Sequence, residues 1–403
     1  MLNRFQKIKW SDYLLLFLVV AASGNPAFTH VAGKYLYLFL VILELLFFRK
    51  SLTRMDYKKT ALWLMVFVVI FIGQYYTLGI IGFLASGNYI FKVLTGLFAA
   101  FILRERFSNL YLRLMTVLTL VSLFFWLLNV VGINLPAIIT ISEASDGVSV
   151  NSLIVYTQSA AAKIRETNFP RNCGMFWEPG AFAGYLLIAF FLYINELPTL
   201  WKTHRTSCII LILGLVSTFS TTGYILFAVL MLVFFYERKL HPMLLSAAVV
   251  ALVMVAWWAF ISFDFLGEKI RTEYEYAMEM DEDEVFFSRI GSIVFDLQYI
   301  KMHPVFGNGL LDETRYANHI SYIEDLHGFG NGFSGELAYF GIPFMLFYLF
   351  MVYRNPTLER KWLLLFCIVI LLQGEYFMNY PLYFVFPVVC FWQPDRKSEN
   401  DES

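Results

Sequence analysis

The sequence predicts an all-α polytopic membrane protein with about twelve transmembrane helices and two long loops on one face. Three observations carry that prediction. Hydrophobic residues make up 59% of the 403-residue chain, charged residues only 15%, and mean hydropathy is +0.63. A soluble fold of this size has too small an interior for such a load. The apolar residues fall in blocks that match or approach the ~17–25 residues a helix needs to cross a hydrocarbon core. Basic clusters punctuate those blocks and alternate to one side. The net charge of −1 excludes a strongly basic nucleic-acid binder. Four cysteines, Cys173, Cys208, Cys367 and Cys390, have neither disulfide-framework nor zinc-ribbon spacing.

Apolar blocks lie at about 12–28, 34–48, 60–82, 88–103, 112–131, 174–194, 207–236, 242–262, 332–353, 362–376 and 381–393. Backbone groups in lipid must be satisfied within the segment, so blocks this long and apolar are helices. The N-terminus has signal-peptide character, basic residues followed by Leu14 to Val20 and Ala21-Ala22-Ser23, and is read as an uncleaved first span. Seven clusters, Arg4/Lys7/Lys9, Arg49 to Lys59, Arg104/Arg106/Arg113, Lys202/Arg205, Arg238/Lys239, Arg354/Arg360/Lys361 and Arg396/Lys397, hold 20 of the 30 basic residues. Their side is the cytoplasmic one. A single helix over 207–236 would put Arg238 opposite Lys202. The run Ser217-Thr218-Phe219-Ser220-Thr221-Thr222-Gly223 supplies a turn in mid-block, with hydroxyls to satisfy freed carbonyls, so two short helices meet there. Both termini then lie inside, and residues 1–403 form one membrane domain.

This topology leaves two long external loops, 132–173 and 263–331. The second contains Val285, Phe286, Ile290, Ile293, Val294, Leu297 and Ile300 at helical spacing, predicting an amphipathic helix over about 284–302 that stops at His303-Pro304.

Three constellations border these loops. The first is Arg171-Asn172-Cys173-Gly174-Met175-Phe176-Trp177-Glu178-Pro179-Gly180, with an arginine at the lip and a carboxylate one to two turns into an apolar helix. Ionisable groups at such depth face a cavity and a partner; alternatively Arg171 snorkels to the interface and Glu178 pairs with it. Pro179 marks a helix start or a kink. The second is Arg289 on the amphipathic helix, followed by Gly307-Asn308-Gly309, a turn able to present N–H groups to an anion. Residues 263–331 carry five basic and fourteen acidic side chains, so Arg289 either serves an anion or pairs with Asp283 or Asp296. The third is His327, followed by Asn331 and Glu336 at the start of a span. An imidazole facing water there suits a general base. A metal site from His303, His319 and His327 lacks ligand spacing, and the acidic run 279–284 reads as solvated.

Together these residues resemble a family. The Phe-Trp-Glu-Pro-Gly-Ala-Phe-Ala stretch at 176–183, the Ser-Thr-Thr-Gly turn at 220–223, the Arg289 helix leading to His-Pro-Val-Phe-Gly-Asn-Gly, and His327 followed by Gly-Glu-Leu-Ala-Tyr-Phe-Gly resemble the bacterial O-antigen polymerase and ligase superfamily over residues 60–390. The Phe-Trp-Glu-Pro-Gly piece looks more like a polymerase. The resemblance implies a glycosyltransferase of C-type architecture in the inner membrane, working on the periplasmic face in lipopolysaccharide-type polysaccharide biosynthesis. Such enzymes move a glycan from undecaprenyl pyrophosphate to another lipid-linked glycan without nucleotide sugar, metal or other cofactor, in some cases alongside a chain-length regulator. It further implies that Arg171 and Arg289 hold the pyrophosphate and that His327 is the base. Trp177, Ser220, Thr221, Gly307, Gly309, Asn331 and Glu336 would border the substrate cavity. Ligases commonly carry His-Asn where this chain has His327-Gly328, so Glu178 stands beside His327 as a second candidate base. The alternatives are an O-antigen ligase acting on lipid A core and, from another class, a glycolipid flippase or transporter.

Overall fold

A computed structural model describes residues 8–31, 33–52, 57–133, 139–142, 149–159, 162–164, 169–238, 289–316 and 331–393. The described chain is mostly helical. The helices are α1 (Trp10–Ala22), α2 (Pro26–Val31), α3 (Leu36–Phe47), α4 (Arg49–Leu52), α5 (Tyr57–Leu78), α6 (Phe83–Leu103), α7 (Phe107–Val130), α8 (Pro179–Phe191), α9 (Leu197–Thr203), α10 (Arg205–Ser217), α11 (Thr221–Glu237), α12 (Arg289–Met302), α13 (Asp312–Arg315), α14 (Gly332–Phe340), α15 (Ile342–Tyr353) and α16 (Lys361–Leu372).

Among the described residues two helical stretches, Tyr57–Leu78 and Phe83–Val130, are long and apolar enough to cross a membrane. The second turns at Arg104, whose φ is +46°. α14 and α15 together make a third candidate, bent by 118°. Six further apolar helices among the described residues have 10–17 residues, at or below the shortest length that crosses a hydrocarbon core. The exterior of the bundle is apolar: Leu64, Met65, Val68, Val69 and Ile72 on α5 and Val117, Leu120, Phe124 and Leu127 on α7 are exposed, as lipid-facing stripes are. The interior instead holds Ser23, Asn25, Gln74, Asn172, Asn308 and Asn355. At the centre lies α8, buried on every side from Ala181 to Phe191, which its uninterrupted apolar sequence allows. Small residues let neighbours close on it and on each other. A side chain at Gly223 on α11 would touch Ala183, and one at Gly214 on α10 would strike Thr119 on α7.

The expected break in 207–236 is present. α10 ends at Ser217, Phe219 takes φ +48°, and Ser220 caps α11 by accepting from Gly223 N at 3.3 Å. The pair is a hairpin: Trp201 of α9, just before α10 begins, meets Phe234 near the end of α11 with ring centroids 6.3 Å apart. Arg205 lies over the Trp201 ring and Arg238 over the Phe234 ring, so the two clusters share one end. The same end holds the Arg360–Glu237 and Arg106–Asp12 ion pairs.

Other expectations need correction. The 381–393 block is not a helix. It runs as a 3₁₀ turn over Pro381–Val385 and irregular backbone to residue 393, because Pro381 and Pro387 remove donors an α-helix would use. Being buried, it must satisfy its backbone elsewhere. Asn355 Nδ2 donates to the Phe386 and Val389 carbonyls, both at 2.9 Å. Ser108 Oγ donates to Cys390 O at 3.0 Å, and Tyr348 OH to Tyr383 O at 2.9 Å. The 12–28 block is divided at Ser23–Asn25 into α1 and α2, and 332–353 bends at Gly341, φ +83°, where any side chain would strike the Val305 carbonyl. In the first long loop the strands β1 (Ile139–Ser142), β2 (Ser149–Ser152) and β3 (Thr157–Ser159) form an antiparallel sheet in the order β1-β2-β3. The amphipathic helix is present from Arg289 onward as α12. The 242–262 block, the acidic run 279–284, His319 and His327 lie outside the described residues.

Candidate functional site

Arg171 and the Ser/Thr turn, singled out separately in the sequence, meet. Arg171 Nε donates to Thr218 O and Nη2 to Phe219 O, each at 3.0 Å. The guanidinium thus caps the C-terminal end of α10, where carbonyls lack helical partners and the dipole favours a cation. Asn172 reinforces the junction, donating from Nδ2 to Ser217 Oγ at 2.9 Å and from its backbone to Ser217 O at 3.0 Å. Thr221 begins α11 beside this cap.

Glu178 is not one to two turns inside a helix. It is the half-buried N-cap residue of α8, with Pro179 at the first helical position, where proline's missing N–H is harmless and a carboxylate meets the positive end of the dipole. Trp177 stacks on Tyr380 at 4.8 Å and packs over Gly24, where a side chain would collide with its ring. A Cβ on Gly180 would run into Glu375 and touch Glu178 Oε1 at 3.5 Å, so the two carboxylates flank the start of α8. Glu375 is buried and belongs to the short non-helical stretch 373–376 after α16. Three helix N-termini gather on that stretch. Gly180 of α8 abuts the Glu375 side chain, Gly332 of α14 abuts its backbone, and Thr222 of α11 lies against Gly374. Asn331, the N-cap of α14, accepts from Ser334 N at 2.9 Å and donates to Gln373 Oε1 at 2.6 Å.

Beside it stands a charged cluster. Arg315 on α13 is fully buried and ion-paired with Asp296 of α12, itself fully buried. The guanidinium lies 4.9–5.2 Å from the ring centroids of Tyr299, Tyr316 and Tyr339, a cation–π cage. Ser334 Oγ donates to Asp296 Oδ2 at 2.5 Å. Burial pushes the Asp296 carboxyl up, and Arg315 and Ser334 pull it back. Asp296 is therefore committed to Arg315; the Arg289 side chain lies outside the described residues. Deeper in the bundle, Glu336 of α14 is buried and accepts from Tyr89 OH at 3.0 Å. Lys92 of α6 sits 5.2 Å from the Tyr89 ring centroid.

The Gly307-Asn308-Gly309 turn does not offer its amides to an anion. Gly307 N donates to His303 O at 2.9 Å, Asn308 N to Ala338 O at 2.8 Å and Gly309 N to Tyr339 O at 3.1 Å. Both glycines have positive φ, +71° and +77°, and a side chain at Gly307 would strike the Tyr339 backbone. The turn clasps α14, and Gln74 locks it by donating to Phe306 O and Tyr339 O at 2.7 and 2.9 Å.

Sequence reasoning passed over Glu375, Arg315 and Lys92. Lys92 and Glu375 each sit inside an apolar block, a signal available by the rule that ionisable residues in spans are functional candidates. Arg315 carried no such signal, because its loop is rich in charge and only packing shows it buried. Comparison with protein-family models, with curated proteins and with solved structures finds no match to this chain.

Proposed function

We propose that this protein is a membrane-embedded polysaccharide polymerase that transfers a glycan from undecaprenyl pyrophosphate to a second lipid-linked glycan at the periplasmic face of the inner membrane. The observation that carries this is the gathering of Arg171, Trp177, Glu178, Ser220, Thr221 and Asn331, with Glu375, around three helix N-termini, at the end of α10 and α11 opposite Arg205 and Arg238. Positive helix ends and an arginine favour a phosphate leaving group, and carboxylates beside them can orient or deprotonate a sugar hydroxyl. In this proposal the end of the bundle that carries Arg205 and Arg238 faces the cytoplasm. Arg171 and Arg289 neutralise the departing pyrophosphate, His327 takes the acceptor proton, and Glu178 supports it. Direct displacement with one base inverts the anomeric carbon.

The test is purified protein in detergent given a lipid-pyrophosphate glycan. A ladder of lengthened products supports polymerisation, a single transfer to lipid A core makes it a ligase, and no covalent product refutes both. The ladder should vanish in His327→Ala, since a positioned base contributes about 10²–10⁴-fold, while donor binding persists. If Glu178→Gln instead abolishes turnover and His327→Ala keeps more than about a tenth, their roles reverse. The group formed by buried Tyr89 and Glu336 with half-buried Lys92, beside the bent α14–α15 pair, favours a second proposal, a glycolipid flippase. That activity moves lipid-linked glycan across vesicles with no covalent product.

A further inference from the structure

The first long loop carries a cleft that none of these roles uses. Its wall is the three-stranded sheet, which contributes Asn151 from β2 and Gln158 from β3, while Asn129 comes from the end of α7 and Tyr156, Lys163 and Arg171 from the connecting chain. The walls are held in place. Thr157 N donates to Gly174 O at 2.7 Å, tying β3 to the approach to α8. Lys163 pairs with Pro170 in an antiparallel bridge, Arg171 N donates to Ala162 O at 2.9 Å, and Trp126 Nε1 clamps Pro170 O at 2.8 Å. Tyr156 is buried and stacked on Phe125 at 5.6 Å. The amides are oriented: Gln158 Nε2 donates to Asn129 Oδ1 and Thr140 Oγ1 to Asn151 Oδ1, each at 3.0 Å. Among the described residues these bonds leave the Gln158 carbonyl and the Asn151 amide nitrogen as an acceptor and a donor for a guest.

The cleft measures about 120 Å³, several times the ~30 Å³ share of one water, so it admits one ring-sized group. Its lining combines side-chain amides, which match vicinal hydroxyls in both donor and acceptor sense, with an aromatic body and two cations. Among the described lining residues there is no carboxylate. An apolar guest would strand the amides, and a cationic guest would meet Lys163 and Arg171.

We propose that this cleft is a binding subsite for a single sugar ring carrying one anionic group. The amides of Asn151 and Gln158 read the hydroxyls, and Lys163 and Arg171 hold the charge, which is either a carboxylate on the ring or the phosphate to which the ring is joined. The subsite rests on the glycan-transfer proposal above. Because Arg171 lines the cleft and also caps α10, a ring bound there lies next to the residues assigned to the pyrophosphate.

The test is titration calorimetry of the full-length detergent-solubilised protein with a neutral hexose, a hexuronic acid, a hexose 1-phosphate and inorganic phosphate. At least one sugar acid should bind about tenfold or more tightly than the neutral hexose and than phosphate alone, as one or two hydrogen bonds and a charge contact would give. Binding of the hexuronic acid alone places the charge on the ring; binding of the hexose 1-phosphate alone places it at the leaving group. Gln158→Glu keeps the side-chain shape and introduces repulsion, so it should remove the preference for the acid, and Asn151→Ala should weaken it about tenfold, both with an unchanged thermal midpoint. Equal binding of all four probes, no binding of any, or an unaltered preference in Gln158→Glu overturns the subsite. Polymer ladders without sugar-acid binding overturn the subsite alone. Sugar-acid binding without ladders keeps the subsite and overturns the polymerase proposal.

Discussion

Arg171 and Arg315 show how differently one side chain can be housed in the same protein. Arg171 is half-buried and gives its fork to two backbone carbonyls at a helix end. Arg315 has no exposed surface and is enclosed by a carboxylate and three tyrosine rings. The first arrangement holds the cation on backbone carbonyls at a partly exposed helix end. The second is charge-neutral and sealed. An arginine held by backbone carbonyls and an arginine held by a carboxylate and aromatic rings differ in what already satisfies them, a distinction invisible in residue type.

The largest expected effect breaks the Arg315 side. Arg315→Ala leaves Asp296 buried without its cation and should cost about 3–5 kcal/mol, seen as a sharply lowered unfolding midpoint in detergent. Replacing both partners by apolar residues, Arg315→Met with Asp296→Leu, should recover most of that loss, because a buried ion pair gains little over packed hydrocarbon. If the double variant is as unstable as the single one, Arg315 does more than fasten α12 and α13 to α14. Arg171→Lys should do the opposite. A lysine retains charge and one of the two carbonyl bonds, so stability should fall by about 1 kcal/mol, while ladder formation falls at least about tenfold through loss of bidentate phosphate binding. A midpoint as low as in Arg315→Ala, or near wild-type ladders, would place Arg171 in the same class as Arg315.

A smaller effect concerns Cys173, between Arg171 and Glu178. Burial pushes its thiol up to about 12, against roughly 8.5 for a free thiol. Ionisation therefore favours the unfolded chain. Its contribution to stability is intact below pH ~8.5 and declines as pH rises from there toward 12. Maleimide labelling of Cys173 at neutral pH should be slow in the folded protein and fast once unfolded. Rapid labelling in the folded state would mean that the approach to α8 opens. The smallest effect expected is on topology: tags beside Lys202 and Arg238 should report the same side, as the α10–α11 hairpin requires, and opposite sides would contradict it.

Periodicity and composition in the sequence were enough to find α5, α6 and α7, because a lipid-facing helix advertises itself by a long apolar run. The turn at 217–223 was equally legible, since Ser, Thr and Gly supply both the bend and the bonding groups that a break inside an apolar layer needs. The 381–393 block was misread for the converse reason: its composition suits a span, but its two prolines are tolerated as irregular backbone only because Asn355, Ser108 and Tyr348 arrive from distant elements to satisfy it. β1 was foreshadowed by Ile139-Thr140-Ile141-Ser142, a strand-like alternation overlooked within a loop. The sequence by itself determined that the chain is mostly apolar helix with runs long enough to cross a membrane, that the clusters at Lys202 and Arg238 share one end, and that an apolar block begins just after Arg171. Only the tertiary structure decided that Arg171 caps α10, that Gly307 and Gly309 spend their amides on α14, that Glu375 joins Glu178, and that Asp296 belongs to Arg315. Apolar burial follows from local pattern, whereas hydrogen-bonded and charged partners come from separate elements of the chain, and their pairing is settled only when the helices pack.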